Sequence, residues 1–122
     1  MFDWRDNLDL AEVLRAGATG VPIVLQSSEA ARRGAVGRAY YAAFGHARAY
    51  AIRHLGFVTT GTASDHGRLI AHYRTVGQRG IAARLQALRG WRNQCDYDDS
   101  VPTLHIILQD ALRDATSVIN QL

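Results

Sequence analysis

"SSEAARRGAVGRAYYAAFGHARAYAIRHLG", Ser27 to Gly56, contains no proline and three internal glycines before its closing one. Its residues Val36, Tyr40, Ala43, Phe44, Ala47 and Tyr50 recur at three- and four-residue steps, which is the period of one helix face. Ser27 or Ser28 can cap the start and Gly56 the end, so a helix running to about His54 is predicted. Gly34, Gly37 and Gly45 each cost helix propensity, roughly 1 kcal/mol relative to alanine. The expected compensation is close backbone approach to a neighbouring helix, helped by Ala31, Ala35, Ala39 and Ala43.

The rest of the chain carries the same kind of signal. Asp3 can cap a first helix over Trp4 to Ala16, with Leu8, Val13 and Leu14 among its candidates for burial. "GATGVP" breaks that helix, because two glycines and a proline disfavour continuation. "FVTTGTAS" reads as a loop, and Ser64 can cap a short third helix, "DHGRLIAHYRTV". After "GQRG", a fourth helix places Ile81, Leu85, Leu88 and Trp91 or Arg92 on one face and ends at "DDSVP". Thr103, following Pro102, opens a last helix through Leu108, Leu112, Val118 and Ile119. No strand pattern competes. The predicted fold is all-α, a single domain over 1–122, built as an antiparallel bundle of four or five helices.

Composition narrows the class. At 122 residues, 48% apolar and 20% charged, the chain is globular rather than disordered. A single cysteine, Cys95, excludes an intramolecular disulfide and fits a reducing, cytoplasmic setting. "MFDWRDNLDL" is acidic and broken by charges, so it is expected to be neither a signal peptide nor a membrane span. All fourteen basic residues are arginine, a bias that GC-rich coding alone produces. The net charge of +3 and pI near 9.5 nevertheless tilt the surface toward polyanions.

Three blocks hold most of the polar chemistry: "GRAYYAAFGHARAY" (37–50), "SDHGRLI" (64–70) and "LRGWRNQCDYDD" (88–99). Together they resemble the HEPN-domain family of small helical proteins. The nearest likeness is to its short stand-alone branch with Arg-Ala-Tyr-Tyr-Ala-Ala-Phe and Asp-Tyr-Asp segments. The blocks fall in the expected order, and the resemblance spans nearly the whole chain. It implies an antiparallel four- or five-helix bundle, often dimeric, in prokaryotic toxin–antitoxin or defence systems. There a nucleotidyltransferase-like protein from a neighbouring gene is an expected partner. Many members of the family are metal-independent ribonucleases, while others are non-catalytic partners or nucleotide-binding modules.

The resemblance also supplies a nuclease motif: arginine, a polar residue, then histidine, with four to six residues between arginine and histidine. Arg92-Asn93 matches the first half, but five, six and seven positions after Arg92 stand Tyr97, Asp98 and Asp99. The next histidine is His105, beyond Pro102. Tyr97 takes the nearest histidine position, yet a phenol of pKa about 10 is a poor base at neutral pH. Asp96 stands about 40° from Arg92 on a helical wheel, so an ion pair that weakens it as a base is expected. Tyr97 lies about 140° from Arg92 and points elsewhere. Arg92, Asp96 and Tyr97 are thus the candidate catalytic set of a degenerate Arg-x4-Tyr ribonuclease.

Arg38, Tyr41, His66, Asn93 and Asp98 are candidates for binding RNA or a nucleotide. Arg38 or a tyrosine hydroxyl is expected to meet Asp96 or Asp98, provided the second and fourth helices adjoin. Because no residue near Arg92 in the sequence titrates near neutrality, the favoured reading is a non-catalytic module. Its ligand would be a protein partner, RNA or a nucleotide. The five histidines and one cysteine make no zinc signature, and no metal or cofactor is expected. A homodimer is expected, from the resemblance and from the small residues Ala31, Gly34, Ala35 and Gly37.

Overall fold

The computed structural model describes residues 3–18 and 28–122, apart from the side chains of 17, 18 and 28. All regular structure among them is helical: α1 (Arg5–Ala18), α2 (Ser28–His54), α3 (Asp65–Thr75), α4 (Arg79–Tyr97) and α5 (Leu104–Gln121). The described residues form an all-α bundle of five helices. The break predicted over 17–22 comes later than expected, since Gly17 and Ala18 still belong to α1; its remainder, 19–22, and the predicted capping side chains of Ser27 and Ser28 lie outside the described residues.

The long helix α2 is the axis of the bundle, packing on α1, α4 and α5, while α3 rests chiefly on α4. Ala31, Ala35, Ala39, Ala42, Ala43, Ala47 and Ala51 are all buried along it. Faces that carry only methyl groups let neighbouring helices come close, which bears out the expected role of Ala31, Ala35, Ala39 and Ala43. The glycines divide differently from the expectation. At Gly37 an added Cβ would meet nothing within 4 Å, and at Gly34 only Leu14 Cδ1 at 3.6 Å. Gly45 alone is pressed, because the indole of Trp4 occupies the space its Cβ would need. Ala31 and Ala35 are spent inside the monomer, so the small-residue surface invoked for a dimer shrinks to Gly34 and Gly37.

Helix ends explain most boundaries. Asp3 Oδ1 accepts the backbone N–H of Arg5 at 2.9 Å, the expected cap of α1. Ala11 is fully buried in that helix, and Leu8 and Leu14 pack on the core. Val13 is 63% exposed, against expectation, because it sits about 200° around the helix from Ala11. Gly56, at φ +68°, ends α2 in the left-handed region, and the Phe57 N–H returns to Ala51 O at 3.1 Å. Gly77, at φ +85°, closes α3: Gln78 N donates to Tyr73 O at 2.8 Å and Gly77 N to Arg74 O at 3.1 Å. That pair of bonds is a Schellman motif.

The starts of α3 and α5 carry no side-chain cap. The Ser64 hydroxyl does not cap α3; it shares a hydrogen bond with Thr62 Oγ1 at 2.7 Å. Thr103 precedes α5 in a left-handed conformation, φ 55°; its hydroxyl donates to Pro102 O and accepts no N–H from the helix start. The core faces of α4 and α5 follow the predicted periodicity, with Ile81, Leu85, Leu88, Leu108, Leu112, Val118 and Ile119 buried. Among the described residues no helix is long and apolar enough to cross a membrane.

The glycines supply a paired prediction. Gly45→Ala forces a methyl into the Trp4 indole and should cost about 1–3 kcal/mol through overpacking. Gly37→Ala enters open space on a helix interior and should gain up to about 1 kcal/mol. Urea unfolding of both variants checks this. Equal midpoints would mean that Trp4 does not rest on Gly45.

Candidate functional site

Residues 40, 44 and 48 of α2 are spaced by four, so Tyr40, Phe44 and Arg48 stand on one stripe, with Tyr41 beside it. His66 comes to this stripe from the first turn of α3. Its ring lies nearly parallel to Phe44, centroids 4.2 Å apart and 14° between planes. The Tyr40 hydroxyl is hydrogen-bonded to His66 Nδ1, and Tyr41 meets the ring edge-on at 6.4 Å. His66 Nε2 has no protein partner and is not among the buried unpaired atoms, so it is open to solvent.

Three arginines surround the cluster. The Arg92 guanidinium carbon sits 5.3 Å from the Tyr41 ring centre and 5.8 Å from that of Tyr40, within cation–π range. Arg48 stands 5.5 Å from the Phe44 ring. Arg89 lies across the start of α3, where a Cβ on Gly67 would stand 3.3 Å from its Nη1. The absent side chain of Gly67 is what leaves it room. Arg48 and Arg89 pair with no carboxylate among the described residues.

Asp65 sets the position of His66. It is buried at the first residue of α3, and its carboxylate gathers the preceding loop. Thr59 Oγ1 donates to it at 2.5 Å, Thr60 Oγ1 at 2.6 Å, Thr60 N and Gly61 N at 3.0 Å, and Arg68 Nη1 at 2.8 Å. Four of these donors come from the loop and tie it to the helix start; the fifth, Arg68, is on α3 itself. None of these donors is a backbone N–H of α3, so they anchor the loop rather than cap the helix, and the next residue in the chain is His66.

The electrostatics follow from this setting. Burial, then the charges of Arg89, Arg92 and Arg48, push the His66 pKa below its ordinary value, with Asp65 opposing weakly. Burial raises the Tyr40 phenol to about 12 despite Arg89 and Arg92. Hydrogen bonds from Thr59 and Thr60 hold the Asp65 carboxyl well below the usual carboxylate range. At neutral pH the cluster is a neutral imidazole, a protonated phenol and three guanidinium ions.

The structure sorts the sequence-predicted residues. Arg92 and Asp96 do pair, with Nε to Oδ2 at 2.9 Å; the N–H is not aimed at that oxygen, so this is a charge contact rather than a directed hydrogen bond. Arg92 Nη1 also donates to Asn93 Oδ1 at 3.3 Å, on the exposed side of α4. Tyr97 is 75% exposed and joins neither Arg92 nor His66. Arg38 is exposed and reaches neither Asp96 nor Asp98, which corrects the expected link between α2 and the end of α4.

Arg33 makes that link instead. Its Nη1 donates to Cys95 O at 2.8 Å and Asp98 O at 2.7 Å, and its Nη2 to Asp99 O at 3.2 Å. One guanidinium thus covers the Cys95 carbonyl of α4 and two carbonyls just past its end, where a positive charge is also favoured by the helix dipole. The exclusion of a near-neutral titrating group from the neighbourhood of Arg92 is also corrected. His66 shares Tyr40 and Tyr41 with Arg92, across helices rather than along one. Tyr40, Phe44, Arg48 and Arg89 were missed as site residues. Their signal was the Tyr40–Phe44–Arg48 spacing of four and the Arg89–Arg92 spacing of three.

No group of three or more His, Cys, Asp or Glu side chains that could hold a metal occurs among the described residues. Compared with protein-family models, curated proteins and solved structures, the chain matches none.

Asp65 yields a pH prediction. Its folded pKa is depressed, so its stabilisation is full above the unfolded value of 3.8 and is lost as pH falls toward the folded value. Asp65→Asn should lower Tm at pH 7, and the gap to wild type should narrow as the pH is taken below 3.8. A gap that is constant across that range would show that the charge of Asp65 does not hold the loop.

Proposed function

We propose that this protein is a HEPN-like module of a prokaryotic toxin–antitoxin or defence system that binds RNA on the face shared by α2, α3 and α4. One observation carries the reading: Arg48, Arg89 and Arg92 converge on a cluster of aromatic rings, and among the described residues Asp96 is the sole carboxylate paired to any of them. Asp65 is close by, but its oxygens are occupied by the loop and by Arg68. Such a surface attracts a polyanion, and arginines interleaved with rings suit a single strand whose bases stack while its phosphates are neutralised.

The three sequence blocks of the resemblance lie on α2, α3 and α4, and their side chains meet at this one place. A homodimer and a nucleotidyltransferase-like protein are the proposed partners, with a cytoplasmic setting. The ribonuclease reading built on Arg92, Asp96 and Tyr97 gains nothing from the geometry, since Tyr97 projects into solvent and Asp96 is engaged by Arg92.

Binding of a fluorescein-labelled single-stranded RNA, followed by anisotropy across a salt series, tests the proposal. Three phosphate contacts should give a slope of about −2 in log K against log salt, and Arg89→Ala or Arg92→Ala should each remove about 0.7 of it. The Arg92–Asp96 pair is partly exposed, so Arg92→Ala should cost less than about 1 kcal/mol of stability and leave binding readable. Competition by ATP at full strength would redirect the proposal to a nucleotide. No binding by wild type would end it.

A further inference from the structure

The far side of α2 borders a second recess. His46, Tyr50 and Arg53 stand about 180–240° around that helix from Phe44. With Trp4 and Arg5 at the start of α1 and Leu122 past the end of α5, they line a cavity of about 430 Å³. That is the size of a small-molecule site. The RNA-binding reading makes no use of it.

Its walls combine flat rings with cations. The Trp4 indole occupies the space that a Cβ on Gly45 would need, and the guanidinium carbon of Arg48 stands 5.6 Å from its ring centre. The indole is therefore seated on α2 by two contacts. Tyr50 and His54, one turn apart, rest ring to ring with centroids 4.7 Å apart. Arg5 comes from α1 and Arg53 from α2. Asp3 Oδ1 accepts the Arg5 backbone N–H at 2.9 Å, which fixes where the Arg5 side chain begins.

One residue of the wall is incomplete. His46 lines the cavity, yet its Nε2 is buried with no hydrogen-bond partner in the protein. A buried polar atom in that state bears its full desolvation cost. Burial, then the charge of Arg5, lower the His46 pKa, with Asp3 opposing and Arg53 adding to the fall. Both guanidinium groups thus act on this ring, and at neutral pH the imidazole is uncharged.

We propose that this cavity binds a small aromatic carboxylate, its ring against Trp4 and its charge shared by Arg5, Arg53 and the unpartnered nitrogen of His46. The proposal stands apart from the RNA-binding reading, and neither depends on the other. A planar ring matches walls made of indole, phenol and imidazole. A guanidinium group can give a carboxylate two parallel N–H bonds, and His46 with its hydrogen on Nε2 gives another. The carboxylate in turn supplies the acceptor that Nε2 lacks. Asp3 at the same wall discriminates against a phosphate monoester, because it repels a dianion more strongly than a monoanion.

Isothermal titration of the full chain with benzoate, 4-hydroxybenzoate and indole-3-carboxylate tests the proposal. At least one should bind one to one with Kd on the order of 10⁻⁴ M, and its uncharged amide should bind at least about tenfold more weakly. Arg5→Gln and Arg53→Gln, both at exposed positions, should each weaken the acid about tenfold. Ala49→Leu puts a larger side chain into the cavity wall and should abolish binding in a chain that still melts cooperatively. Saturating ligand should also shift the His46 Nε2 signal in imidazole NMR spectra, which a bystander ring would not show. If Ala49→Leu does not fold, the arginine variants and the imidazole signal decide the matter. Equal binding of acid and amide overturns the charge recognition, and tighter binding of phenyl phosphate overturns the carboxylate class. Affinity undiminished in both arginine variants places the ligand elsewhere and overturns the site. No binding of any of the three acids at millimolar concentration ends the proposal and leaves the RNA-binding reading untouched.

Discussion

The bundle depends on how thin α2 is. A helix of 27 residues that α1, α4 and α5 all pack against must present little more than methyl groups on its contact faces. Alanine at 31, 35, 39, 42, 43, 47 and 51 does this without the backbone entropy that glycine adds. Burying small side chains yields less transfer free energy per residue than burying leucine. The partners supply the bulk, through Leu85 and Leu88 of α4 and Leu108, Leu112 and Val118 of α5. The arrangement is asymmetric: a slender axis within a coat of larger residues.

Where the alanines give way to Tyr40, Tyr41 and Phe44, the geometry changes. The short helix α3 touches α2 less than any other neighbour does, and long side chains bridge the gap. Tyr73 reaches from α3 to donate to Ala47 O at 2.6 Å, and Tyr40 reaches from α2 to His66. Both hydroxyls are desolvated, which pushes both phenols upward and keeps them protonated as donors. The stand-off is what leaves space at this end for rings and guanidinium groups. The same spacing that makes α3 a lightly held helix therefore makes the candidate site. The grip of Asp65 on the Thr59–Gly61 loop limits how far that helix can wander.

Local rules were legible in the sequence, and contacts across the chain were not. The five helices follow from period and punctuation, the Asp3 cap from its place before a helix, and the Arg92–Asp96 pair from a spacing of four. Ser64 failed as a cap because its own backbone is already helical, φ −62° and ψ −20°, and its hydroxyl is engaged by Thr62. Arg33 could not be distinguished from Arg32 or Arg38 by spacing, since its acceptors lie more than sixty residues away. The search for a histidine ran along α4, where a helix-borne motif would put one. The histidine beside Arg92 arrives from α3, at a position fixed only once α2 has set the distance between them.

A phenol in the orienting position has consequences that a carboxylate would not have. A carboxylate beside an imidazole adds an opposite charge and raises its pKa, favouring the imidazolium. Tyr40 is neutral and adds no such pull, so burial and three arginines leave the ring uncharged. A phosphodiester seated among those arginines reverses part of this effect, because its negative charge offsets their repulsion of the imidazolium. Ligand binding and protonation of His66 are then coupled, each favouring the other by the same free energy. Affinity for a phosphate rises as the ring gains its proton. That the ring starts uncharged, and so has a proton to gain, is a consequence of using tyrosine, rather than aspartate, to hold the histidine.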